Sequence, residues 1–349
     1  MTNDGAPSRL TRVSAQEAAA DMPLPDPSAP AEQGVVRTVL GDIPADALGW
    51  CDYHEHLFQV SPLLPGDELD DESPSGQEAA ALRRGGIASM VEATPTGLGR
   101  DPAAVARVSH ATGLGVVHVS GAHRQEHYPP GHWLLACTTA ELTARFTADV
   151  RDGLPAVDSA ERGAPAVGPT GAPVRAGMLK AGIGYWRISR FEHRVLDAIA
   201  EAAAETGVSV MVHLEHGSAT WEVLKVLADA GLAADRIVLA HADRNLDPGL
   251  HTELTLSGAY LGYDGMARHR EAPDSAILDC LQRVVANGDP ARVLLGGDVA
   301  RRSRYQAYGG MPGLAYLPER FLPRVRKRLG PELTEQLMVA NPARVLSLL

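Results

Sequence analysis

From residue 50 onward, short apolar runs alternate with longer stretches of helical period. The runs at 50–54, 87–94, 116–120, 175–181, 208–213, 237–241, 259–263 and 293–297 are rich in Val, Ile and Leu. They carry no polar alternation, which predicts strands covered on both faces. Between them, stretches such as 194–205, 220–230, 275–287 and 333–339 repeat apolar residues at helical spacing. Turn signals introduce many of the strands: Thr206-Gly207, Asp235-Arg236, Ser257-Gly258 and Asp289-Pro290. Eight strand-then-helix units predict an α/β fold, a single (β/α)8 TIM barrel over residues 34–349. Two stretches fall outside this rhythm. Residues 154–174 are Ala, Gly, Pro and Val with a few charges and no period, and read as a flexible loop before the fourth strand. Residues 1–33, rich in Ala, Pro, Asp and Ser, read as a mobile tail with one helical stretch around 14–21.

Composition narrows the class of function. The formal net charge is −11, and no basic helix or zinc-finger spacing offsets it, so a nucleic-acid partner is not expected. No apolar run reaches membrane-spanning length and the first 33 residues contain no apolar leader core, so neither a membrane span nor a secretory signal is expected. Cys51, Cys137 and Cys280 are odd in number and far apart, which reads as reduced thiols in a cytoplasmic protein.

The chemistry gathers at strand ends. His54 and His56 flank Glu55 where the first strand closes, and residues two apart on an extended chain share a side. Lys180 lies in the fourth strand, His213 closes the fifth, His241 the sixth, and Asp298 follows the eighth. In a parallel barrel all of these ends meet at one face. Imidazoles and a carboxylate without thiolate suit Zn2+, Mn2+ or Co2+. Two close divalent ions sharing a hydroxide would make a nucleophile, with Asp298 as proton acceptor. Lys180 fits such a set only as a carbamate formed with carbon dioxide; otherwise it is a barrel-interior lysine paired with Asp298. Asp243 is the candidate outer partner of a ligating histidine.

These residues resemble the phosphotriesterase family of the amidohydrolase superfamily. The likeness runs from residue 36 to residue 349, through Thr38-Val39-Leu40-Gly41, the His54–His56 pair, Gly99-Arg100-Asp101-Pro102, Tyr128-Pro129-Pro130 and His241-Ala242-Asp243-Arg244-Asn245. It is most specific in Gly296-Gly297-Asp298, Tyr308-Gly309-Gly310 and Asn341-Pro342-Ala343-Arg344. The resemblance implies that His54, His56 and Asp298 hold one ion, that His213 and His241 hold the second, and that a carboxylated Lys180 bridges them. Tyr263-Asp264-Gly265 and Pro273-Asp274-Ser275 are similar to the branch that hydrolyses phosphorylated sugar lactones. In that branch basic residues after the last two strands, with a tyrosine, grip phosphate. Arg268, Arg270 and Arg301 fall at or near those positions; Arg304 stands where the relatives have Tyr, with Tyr305 next.

The expectation is therefore a metal-dependent hydrolase that opens an anionic or phosphorylated sugar lactone. The alternative is a phosphotriesterase, or another ester or amide hydrolase, on the same site. The expected partner is a small anionic substrate, with a homodimer as the candidate assembly. His123, His127 and His216 read as loop-shaping residues near the pocket, and the acidic run 67–72 as a solvated loop. The chain contains no GxSxG elbow and no P-loop, which sets aside serine-hydrolase and NTPase chemistry.

Overall fold

Eight parallel strands form the centre of the chain: β3 (Cys51–Glu55), β4 (Ser89–Glu92), β5 (Gly115–Gly121), β6 (Ala176–Ile183), β7 (Val210–Leu214), β8 (Ile237–Ala240), β9 (Tyr260–Tyr263) and β10 (Val293–Leu295). They follow a short antiparallel hairpin, β1 (Val35–Thr38) and β2 (Gly41–Pro44). The computed structural model describes residues 34–349, so the expected N-terminal tail lies outside the described residues. Each barrel strand pairs with the next in chain order. The ends of the series meet where the Asp298 N–H donates to the His54 carbonyl at 2.9 Å. Two buried carboxylates reinforce that seam, as Asp52 accepts from the Gly297 N–H at 3.2 Å and Glu55 from the Val299 N–H at 3.0 Å.

Helices cover the outside: α1 (Glu72–Arg84), α2 (Pro102–Thr112), α3 (Thr139–Arg151), α4 (Arg190–Thr206), α5 (Thr220–Asp229), α6 (Pro248–Leu256), α7 (Asp274–Asn287) and α8 (Leu322–Leu329). Their starts are chemically marked. Asp71, Asp101 and Asp247 cap α1, α2 and α6 through side-chain oxygens, and Thr138 and Ser189 form full capping boxes with Glu141 and Glu192 at α3 and α4. The helix expected over 333–339 forms as a turn of α-helix, Pro331–Glu335, followed by a wider-wound segment, Gln336–Ala340. No helix among the described residues is long and apolar enough to cross a membrane.

The barrel interior follows the period-two rule. Val91 and Ala93, Val117 and Val119, Met211, Val238 and Ala240 pack together there, and Val36 of the hairpin with Val345 and Leu346 closes the end away from the site. Continuing the same alternation upward, Met178 is followed by Lys180 and Met211 by His213, which places both polar residues over the apolar plug.

The segment 154–174 carries no helix or strand beyond isolated bridges, and its contacts are specific. Leu154, Ala166 and Val174 are buried and hydrogen-bond one another through their backbones at 2.7–2.9 Å. Asp158 receives two bonds from Arg100, at 2.8 and 2.9 Å, and Arg162 pairs with Asp149 on α3 at 3.3 Å. Composition and missing periodicity concealed a segment held by ion pairs rather than by a repeating apolar face.

Candidate metal centre

His54, His56, Lys180, His241 and Asp298 are all buried, and His213 stands at the edge of the same cluster with 12% of its side chain exposed. Local backbone devices bring them together. The register between β3 and β4 shifts between Asp52 and Glu55, and a shift of this kind re-aims the side chains beyond it. His241 follows Ala240, which already points inward, so strict alternation would turn it away. Its backbone is left-handed, φ 63°, and the ring swings in. Asp298 is held similarly at φ 42°. Non-glycine residues in this region carry strain of the order of 1 kcal/mol or more, which the surrounding fold must hold.

The outer nitrogen of every imidazole is tied to an oxygen. His54 Nδ1 meets Asp264 Oδ2 at 3.2 Å, and His241 Nδ1 meets Asp264 Oδ1 at 2.7 Å. His56 Nδ1 meets the Thr94 hydroxyl at 2.6 Å, and His213 Nε2 meets Glu215 Oε2 at 3.0 Å. The carboxylates must accept and the Thr94 hydroxyl is free to, an arrangement in which each outer nitrogen carries the proton and each inner nitrogen presents a lone pair. The inner atoms crowd one another. His241 Nε2 lies 2.7 Å from His213 Nδ1, and His54 Nε2 lies 3.0 Å from Lys180 Nζ. Asp298 Oδ1 is 3.8 Å from His54 Nε2 and 3.6 Å from His56 Nε2. Two imidazole lone pairs face to face at 2.7 Å repel unless a cation or proton stands between them. Burial opposes the proton: it lowers the basicity of all four rings, to about 3 for His56 and about 4 for His241. The donor set thus fits divalent metal, with neutral imidazoles and outer partners already in place.

Asp264 is the residue that the sequence reading passed over. Fully buried after β9, it hydrogen-bonds the His54 and His241 rings at once and also accepts from the Tyr53 hydroxyl. Burial by itself would raise its pKa; His241 and then His54 outweigh that and hold it well below the ordinary carboxylate range. Asp243, expected beside a histidine ring, sits one step further out. It accepts from the backbone N–H groups of Asp264 and Gly265, at 3.2 and 2.8 Å, and so fixes the loop that carries Asp264. The available signal was an acid at a strand end, and nothing in one sequence ranked Asp264 above Asp243.

Arg244 was also missed. Its Nη2 bonds Asp298 Oδ2 at 2.5 Å, and Arg268 Nη2 bonds the same oxygen at 2.6 Å. Burial would raise the Asp298 carboxyl, but Arg268, His54, His56 and His241 together hold it well below its ordinary value. Arg268, expected as a substrate contact, is thus engaged with Asp298. Arg270 and Arg301 are exposed, and Arg304 is half-buried with Nη2 lacking a hydrogen-bond partner among the described residues. These four arginines line one cavity of about 580 Å3, which shares Arg268 and Arg301 with a cavity of about 220 Å3 over the candidate metal ligands. Tyr305 takes no part in either wall. It is fully buried, with its hydroxyl donating to the His56 carbonyl, so it supports the ligand strand rather than a substrate. His123 and His127 line the smaller cavity, stacked at 3.8 Å between ring centroids.

A model of the phosphotriesterase family matches residues 34–346. The chain belongs to the phosphotriesterase family. Among its relatives, the phospho-furanose lactonase of Mycoplasmopsis synoviae (strain 53) is 30% identical over 332 residues, covering 90% of this chain and 92% of that one. The N-acetyltaurine hydrolase of Danio rerio is 26% identical over 361 residues, covering 90% and 98%. Among solved structures, a lactonase from Listeria monocytogenes superimposes with a TM-score of 0.81 at 29% identity, covering 90% of this chain and 99% of that one. Phosphotriesterase-family membership thus agrees with both the barrel and the position of the site.

Proposed function

We propose that this protein is a metal-dependent hydrolase that opens an anionic sugar lactone. The observation that carries the reading is the set of inward-facing imidazole lone pairs around Lys180 and Asp298, beside a cavity walled by arginines. The phospho-furanose lactonases among its relatives supply the substrate class. Divalent ions held by His54, His56, Lys180, His213, His241 and Asp298 would supply Lewis acidity, polarising the lactone carbonyl and acidifying the attacking water.

The chain's own groups do the rest. Lys180 joins such a set as a carbamate, because an ammonium would repel cations. Burial brings its amine down to about 8, so a reactive neutral fraction exists near neutral pH. Asp298 stands at the floor of the cavity, within 3.8 Å of His54 and His56, where it can take the proton of the attacking water. Arg244 and Arg268 fix its orientation from the other oxygen. Arg301 and Arg304 face the neighbouring cavity, where a phosphate or carboxylate on the substrate would find planar guanidinium donors.

A panel of furanose and pyranose lactones, each with and without a phosphate, tests the reading when assayed before and after chelation. The expected result is turnover of the phosphorylated members, lost with chelator and regained with Zn2+, Mn2+ or Co2+. Because the N-acetyltaurine hydrolases are also relatives, an anionic N-acyl amide belongs in the same panel as the second reading. Hydrolysis of the amide and none of the lactones would replace the first reading with the second.

A further inference from the structure

The metal cavity opens on two sides, and the second side is built differently from the arginine side. A cavity of about 900 Å3 shares Arg124, Glu215 and Arg244 with the metal cavity. Its floor is the turn that follows β6, Gly184–Arg187, with Tyr185 and Trp186 at the two central positions. In a chain with only 5% aromatic residues, these two sit side by side, 62% and 63% exposed, on the face that carries the ligands.

The platform is held in place. The Trp186 N–H donates to the Ser218 hydroxyl at 3.0 Å, and that hydroxyl donates to the Glu215 carbonyl at 2.7 Å. Trp186 and His216 both adopt left-handed backbone, at φ 47° and 52°, and the His216 ring stands edge-on to Tyr185 at 5.9 Å. A large side chain kept at positive φ and displayed to solvent is costly on both counts. Neither the barrel packing nor the metal ligands require it.

The wall chemistry narrows the occupant. Arg124 pairs with Glu215 at 3.2 Å and lies 3.8 Å from Glu126, so charges of both signs alternate. A second anion would meet Glu126 and Glu215 beside guanidinium groups already paired, Arg124 with Glu215 and Arg244 with Asp298, and a hydrocarbon would leave Asn245, Glu126 and Arg187 unsatisfied. A hydroxylated ring satisfies both halves: its C–H face stacks on indole and phenol, and its hydroxyls bond to carboxylate, amide and guanidinium edges. We propose that this cavity is a subsite for a neutral sugar unit carried by the substrate, so that the preferred lactone is glycosylated on the side opposite its anionic group. The inference rests on the lactonase reading and extends it to a part of the substrate that the metal cavity cannot hold.

The test compares gluconolactone with a galactosyl-substituted gluconolactone in the wild type and in Trp186→Ala. Calorimetric titration with the ring-opened disaccharide acid, which cannot be hydrolysed, accompanies it. The wild type should prefer the disaccharide lactone in kcat/KM by about tenfold or more, and Trp186→Ala should erase most of that preference through KM, as a loss of uniform binding does. The disaccharide acid should bind the wild type more tightly than gluconate does, with the difference lost in the variant. If neither of these neutral lactones is turned over, the phosphorylated panel above decides the lactonase reading, and the titration still decides the subsite. Equal affinity for the disaccharide acid and gluconate in the wild type overturns the proposal, as does a preference that survives in Trp186→Ala.

Discussion

Asp264 concentrates the logic of the site in one side chain. Its two oxygens fix the tautomers of His54 and His241, so each ring turns a lone pair inward. An amide at this position has one accepting oxygen and must present an N–H to the second ring. Asp264→Asn should therefore weaken metal binding by about ten- to a hundredfold, measured by competition with a chromogenic chelator. Asp243→Asn loses the acceptor for one of the two loop amides but touches neither ring, so it should cost less. Equal affinities in wild type and Asp264→Asn would remove Asp264 from this role. The candidate ligands differ in how far sequence alone exposes them. Lys180 and His213 continue an apolar alternation and can be placed by counting residues in twos. His54 and His241 break it and reach the centre through a register shift and a left-handed residue, neither of which a hydrophobic pattern encodes. Strand-end position marked them; orientation came only from the folded backbone. Tyr305 shows the converse, since a tyrosine in an arginine-rich loop reads as a ligand contact and proves to be a buried strut under His56.

Between elements, charge does work that periodicity cannot announce. Arg100, at the entrance to α2, is buried against Asp149 of α3 and Asp158 of the 154–174 segment. Removing one member of a buried pair strands the others, at a cost of about 3–5 kcal/mol. Arg100→Leu should lower the unfolding free energy obtained from denaturant titration by that much and open the 154–174 segment to limited proteolysis; an unchanged free energy would mean that solvent or a neighbouring cation takes over its carboxylates. The barrel strands were readable because both faces are apolar, and their approximate limits followed. The ion-paired segment was unreadable because its partners lie on α3 and on the loop before α2, distant in sequence and invisible to composition.

At the scale of the molecule, the net charge of −11 contrasts with the arginines lining the cavity beside the candidate metal site. Positive charge gathered at that cavity would steer anionic ligands there and would be screened by salt. Arg301→Met or Arg304→Met should cut kcat/KM for an anionic lactone by roughly ten- to a thousandfold, and by far less for its neutral counterpart. Equal losses on both substrates would assign these arginines to the fold. Hydrolysis at this site depends on the buried imidazoles holding divalent metal. Elemental analysis of the purified protein, alongside Lys180→Ala, tests this most directly. The wild type should hold about two divalent ions per chain, and the variant should lose metal and turnover together. Wild-type protein that hydrolyses its substrate at full rate with no bound metal would contradict it.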